Sequence, residues 1–138
     1  MKISAQVQNS RGEHRILLQT NDNAHSISIP PRASGYGSSA NGGELLFLAL
    51  ATCYCNDIYR EAARRGIAVH QVEVTVNGEF GADGEGAKNV TYDAIVTADA
   101  SQQEIETLMR DTDGVAEIQN TLRISTPVTL GTIEARGN

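Results

Sequence analysis

A chain of 138 residues with 40% hydrophobic content matches one compact domain, spanning 1–138, that can build a core without disulfide staples. Its net charge of -6 and its aromatic content of 4%, with no Trp, exclude the basic footprint and the stacking platforms of a nucleic-acid binder. The opening "MKISAQVQNS" lacks the plan of a signal peptide and the longest apolar run, Leu45 to Ala51, is too short to cross a bilayer, so the expectation is a cytoplasmic protein with no membrane partner and with its cysteines as resting thiols.

In chain order, three runs alternate apolar with polar residues, "KISAQVQ", "HRILLQT" and "HSISIP", and "NSRGE" and "NDNA" separate them. These predict an antiparallel meander. The Pro-, Gly- and Ser-rich stretch "PPRASGYGSSANGG" then predicts a loop free of regular structure that crosses between layers. Asn41 with Glu44 forms an approximate capping box that opens a helix of roughly 22 residues, and Gly66 is placed to terminate it. The first half of that helix is apolar on every face, from Leu45 to Ala51, and so needs protein all around it.

Next come "AVHQVEVTVNGEF" and "NVTYDAIVTAD", a hairpin joined by "GADGEGAK". Ser101 with Glu104 opens a helix whose core face is Ile105, Leu108 and Met109, with a break at "DTDG". A short helical piece, "VAEIQNTL", and a final strand, "ISTPVTLGTIEA", complete the expected order β-β-β-α-β-β-α-β, an α+β domain with helices on a sheet. A chain of this length has little material to cover a long central apolar helix on both faces, so a second copy is the expected partner.

The stretch "NGGELLFLALATC" resembles the "NPEELLAAALAGC" signature of the OsmC/Ohr superfamily, and the element order agrees with that family. The resemblance implies an intertwined homodimer with two long helices packed centrally. It also implies reduction of organic hydroperoxides by a reactive Cys with a motif Glu, an Arg near the first strand turn, and a second, resolving Cys. Position by position, the reactive Cys falls on Cys53, the motif Glu on Gly43 and the resolving Cys on Asn120. The Arg falls on Arg11 in "NSRGE", with Arg15 and Arg32 as substitutes, and Glu44 beside Gly43 is a candidate carboxylate.

Cys55 cannot readily resolve Cys53, because residues two apart on a helix point about 200° apart around its axis and a disulfide needs its Cβ atoms close. Cys55 is therefore a secondary thiol. No metal or other cofactor is expected, since His14, His25 and His70 show no ligand spacing with the cysteines. Only a thiolate attacks a peroxide, and a mid-helix Cys gains little from the helix N-terminus. Asp57, at i+4, would oppose ionisation if it shares that face, and Arg60 at i+7 could offset it.

Two readings of Cys53 stay open at this point, a working thiol or a small buried hydrophobe. Glu44 likewise has a complete explanation as the capping partner of Asn41. The leading function is a thiol-dependent hydroperoxide reductase that works through Cys53 with a small-molecule peroxide and an external thiol reductant. The alternative is a member without turnover that binds a small apolar or electrophilic ligand at a dimer-interface pocket. Tyr54, Asn56 and Asp57, which surround the thiols, are without an assigned role.

Overall fold

The computed structural model describes residues 1–137 and has the element order β1(Ile3–Ser10) β2(Glu13–Thr20) β3(Asn23–Ile27) α1(Gly42–Arg64) β4(Ala68–Phe80) β5(Ala87–Asp99) α2(Gln102–Val115) α3(Glu117–Arg123). The class is α+β, as the periodicities predict. The chain divides into two compact units, Met1–Leu46 and Phe47–Asn138, with the boundary inside α1.

The first unit holds the antiparallel meander β1-β2-β3. The turn Arg11–Gly12 pairs Ser10 with Glu13, and Asn21–Asp22 pairs Thr20 with Asn23. Gly12 and Asn21 both take the positive φ that such tight hairpin turns require. The loop after β3 is less irregular than its composition predicts: Pro31 and Ser38 form an isolated bridge, and Asn9 Oδ1 accepts from the Gly37 N–H at 2.9 Å. No strand forms there.

The α1 start is a complete capping box, in which the Glu44 N–H donates to Asn41 Oδ1 at 2.8 Å and the Asn41 N–H donates to Glu44 Oε1 at 3.0 Å. Its end is the hydrogen-bond pair Ile67 N–H to Ala62 C=O and Gly66 N–H to Ala63 C=O, with Gly66 at φ 67 as the left-handed stop. The buried stripe of α1 is Leu50, Tyr54, Ile58 and Ala62, spaced four apart. The expectation that the first half is wholly enclosed does not hold within one chain, since Leu48 is 59% exposed and only Leu50 of the apolar run is buried.

In the second unit the stripe meets the β4–β5 hairpin and α2: Tyr54, Ile58, Ala62 and Leu108 form the core cluster, flanked by Val69, Val72, Val74, Tyr92, Ala94, Val96 and Met109. Val69 and Val72 would face opposite ways on a regular strand. A register shift between Val69 and Gln71 returns both to the core. Gly78 marks the second shift, and a Cβ there would stand 2.7 Å from the Phe47 ring, which stacks on Phe80.

Two expectations fail in this unit. The "DTDG" stretch does not break α2, because Thr112 is fully buried and its Oγ1 donates to the Leu108 carbonyl at 2.7 Å, so the helix runs on to Val115. The final strand is absent: residues 125–137 carry no strand, and Val128, Leu130 and Ile133 are exposed. Alternation supplies a strand's side chains, yet a strand also needs an edge to pair with, and none of the described edges takes up this segment.

Truncating Ile58 to Ala should cost about 2–5 kcal/mol in chemical denaturation, because its site is fully enclosed. Asn41→Ala should cost only about 1 kcal/mol, the usual worth of an N-cap. Equal losses for the two would contradict the placement of the core in the C-terminal half of α1.

Candidate functional site

Cys53 stands on α1 one residue before Tyr54, at the edge of the buried stripe, and is itself half-buried. Its Sγ lies 3.6 Å from Asp57 Oδ2, one turn along the helix, and 3.8 Å from Glu117 Oε2, on the first turn of α3. Arg60 closes the group: one guanidinium nitrogen lies 3.0 Å from Asp57 Oδ1 and 3.6 Å from Glu117 Oε1. Each carboxylate thus gives one oxygen to the thiol and the other to the same Arg.

Local sequence explains the assembly. Asp57 shares the Cys53 face because four residues make about one helical turn, and it adjoins Ile58 of the core stripe, so it is only 5% exposed. Ala116 precedes α3 without a side-chain cap, which leaves the first N–H groups of that helix to other acceptors. Of these, the Ile118 N–H favours the ionised form of the Cys53 thiol, and the Glu117 N–H favours the ionised form of its own carboxylate.

The electrostatics come from these contacts. Burial pushes the Cys53 thiol above its ordinary range, the Ile118 N–H pulls it partly back, and the Asp57 and Glu117 carboxylates push it further up. Burial and the neighbouring Glu117 raise the Asp57 carboxyl, with Arg60 and the Cys53 thiol opposing them. Glu117 is held below the usual carboxylate range, chiefly by its own backbone N–H, with burial opposing it and Arg60 adding to it. At rest Cys53 is therefore a thiol that donates to carboxylates.

Cys53, Asp57 and Glu117 offer three ligand atoms within 4.8 Å of one another, a grouping that no spacing in the sequence announces. The Arg60 guanidinium already supplies the cation between the two carboxylates.

The other residues singled out by sequence have surroundings of their own. Arg11 belongs to the first unit, where its guanidinium sits 6.0 Å from the centroid of the Tyr36 ring. The Glu44 carboxylate is engaged in the α1 cap. Arg15 pairs with Glu13 at 3.6 Å. Cys55 is a free thiol like Cys53, and it lines a separate shallow recess of about 240 Å³ with Ala51, Thr52, Asn56 and Val74. Asn120 donates to the Gly114 carbonyl and accepts from Arg123, both at 3.1 Å.

Tyr54 has a structural role: its hydroxyl donates to the Met109 carbonyl at 2.8 Å, its ring meets Tyr92 edge-on at 4.9 Å, and burial, then Asp113, pushes its phenol up to about 12. Tyr92 in turn donates to Asp113, which Arg123 pairs at 2.7 Å. These tyrosines floor an open groove of about 670 Å³ walled by Asp93, Glu106, Arg110 and Asp113, and Cys53 does not line it. Glu117 is the residue that sequence reasoning missed. It stands 64 positions from Cys53, and its only signal was its place in the first turn of a predicted helix.

Comparison with known proteins supplies the family. Among solved structures, similar folds occur in an OsmC-like protein from Mycoplasma pneumoniae, at 17% identity, with 87% of each chain covered and a TM-score of 0.58. A second is an organic hydroperoxide resistance protein OsmC from Legionella pneumophila, at 21% identity, with 89% of this chain and 90% of that one covered and a TM-score of 0.59. A third is an OsmC-like protein of unknown function from Vibrio cholerae, at 14% identity, with 88% and 93% covered and a TM-score of 0.56. A comparison with curated protein sequences finds no significant match. No described helix is long and apolar enough to cross a membrane. The family profile described as OsmC-like protein matches residues 35–131, well over half of the sequence, and the chain belongs to that family.

Proposed function

We propose that the protein is a cytoplasmic, thiol-dependent hydroperoxide reductase in which Cys53 is oxidised by an organic hydroperoxide and restored by an external thiol. The observation that carries this reading is the polar setting of Cys53: a half-buried thiol that hydrogen-bonds two carboxylates bridged by an Arg is not packed as a mere small hydrophobe. Family membership and the hydroperoxide resistance for which the Legionella relative is named support the same chemistry. Cys55 lies outside the cluster, so reduction of oxidised Cys53 falls to a thiol in solution.

The reading includes a homodimer. Ile3, Val7, Leu48 and Ile95 are all more than half exposed, and Val128 in the unpaired C-terminal segment is 98% exposed. A second copy that covers these residues and pairs with that segment would remove both costs at once. Sedimentation should give the mass of two chains, and truncation after Ser125 should weaken association. A monomer at micromolar concentration would count against the dimer.

Consumption of cumene hydroperoxide with a dithiol reductant tests the chemistry. Cys53→Ser should abolish it, and Cys55→Ser should leave most of it. Equal activity in wild type and Cys53→Ser, or none in either, would leave ligand binding without turnover as the function of this member.

A further inference from the structure

We propose that Asp57 is the proton carrier of the Cys53 reaction, taking the thiol proton as sulfur attacks and returning it to the departing alkoxide, with Arg60 and Glu117 as the positioning residues. This rests on the peroxidase reading and assigns the site's acid–base residue. The geometry carries it: Asp57 Oδ2 is 3.6 Å from Sγ on the same helix face, and its other oxygen is fixed at 3.0 Å by Arg60. Arg60 is itself held by Glu61 at 3.1 Å and reaches Glu117 at 3.6 Å.

Within the second unit, the groups facing the reacting pair come from two helices. From α1 they are Arg60 and, through it, Glu61; from α3 they are Glu117 and the Ile118 N–H. A nearly buried carboxyl raised from its ordinary value is a stronger base for a thiol and a weaker acid afterwards than an exposed one, which brings donor and acceptor nearer in strength. The Glu117 carboxylate, whose oxygen lies within 4.8 Å of one from Asp57, favours the protonated form of Asp57, the form that has just received the proton.

The step balances within the site and its substrate. The Sγ–H bond breaks and its proton passes to Asp57. Sulfur bonds to the terminal oxygen of the hydroperoxide as the O–O bond breaks, and the bonding pair leaves on the alkoxide. The alkoxide takes the proton from Asp57, giving an alcohol, a Cys53 sulfenic acid and the original carboxylate. Sulfur loses two electrons and the peroxide gains them.

Alkylation by iodoacetamide needs only the thiolate, because iodide leaves without a proton, whereas peroxide oxidation needs the proton returned. The test compares the two reactions at Cys53 across pH in a Cys55→Ser background, with the sulfenic acid trapped by dimedone. The expected result is an oxidation rate that levels off while one proton remains on the Cys53–Asp57 pair, as alkylation continues to climb through the thiol range. In Asp57→Asn, oxidation should fall about a hundredfold while alkylation holds or rises. Asp57→Glu should recover part of the oxidation rate.

Parallel profiles for the two reactions, or an Asp57→Asn variant in which both reactions speed up together, would overturn the proposal and make Asp57 only a repelling neighbour. Absence of sulfenic acid at Cys53 in the parent protein, with alkylation intact, would overturn the peroxidase reading and this inference with it. The parent pH profiles decide the matter even if a thermal melt finds Asp57→Asn unfolded.

Discussion

The second unit depends on one constraint: α1 must bury a stripe four residues apart, Leu50, Tyr54, Ile58 and Ala62, the last three of them against a two-stranded hairpin and α2. At about 100° per residue this spacing drifts slowly around the helix, and the hairpin's register shift between Val69 and Gln71 keeps its side chains aimed at the stripe. Full burial of Ile58 and Leu108 contributes about 1.5–3 kcal/mol for each side chain. That is ample to fix the rotation of the helix. Once the rotation is fixed, Cys53 and Asp57 have no choice of position, because each adjoins a stripe residue.

Fixing Asp57 there carries a cost. A carboxylate removed from water loses solvation on the order of several kcal/mol, so it must be paired or protonated. Arg60 supplies the partner and is anchored in its turn by Glu61. Glu117 adds a second negative charge to the same cation, and burial first, then the two carboxylates, holds Cys53 protonated. A single Arg shared by two carboxylates cannot neutralise both. The site therefore keeps the proton on the nucleophile with an acceptor beside it, where a site with surplus positive charge would store a thiolate.

Local patterns were legible where the physics is local. Both capping boxes, at Asn41 and Ser101, form as their residue types require, and β4 spans the predicted Ala68–Phe80 without change. The mid-helix neighbours Asp57 and Arg60 followed from helical spacing alone. Glu117 did not, since its approach to Cys53 depends on how α3 packs back against α1, which no local pattern encodes. The C-terminal strand failed for a related reason: "ISTPVTLGTIEA" has the alternation, and no described strand of its own chain pairs with it. The "DTDG" break failed because the tertiary burial of Thr112 outweighed weak helix propensity.

After burial, it is carboxylates rather than a cation that raise the Cys53 thiol, and on this the chemistry of the site turns. The direct measurement is the carbon chemical shift of the Cys53 Cβ, labelled and followed against pH, in the parent protein and in Glu117→Gln. The prediction is an inflection above the ordinary thiol range in the parent, moved downward when the Glu117 charge is removed. An inflection well below that range, or one indifferent to Glu117→Gln, would contradict it and identify a thiolate stabilised by some other group.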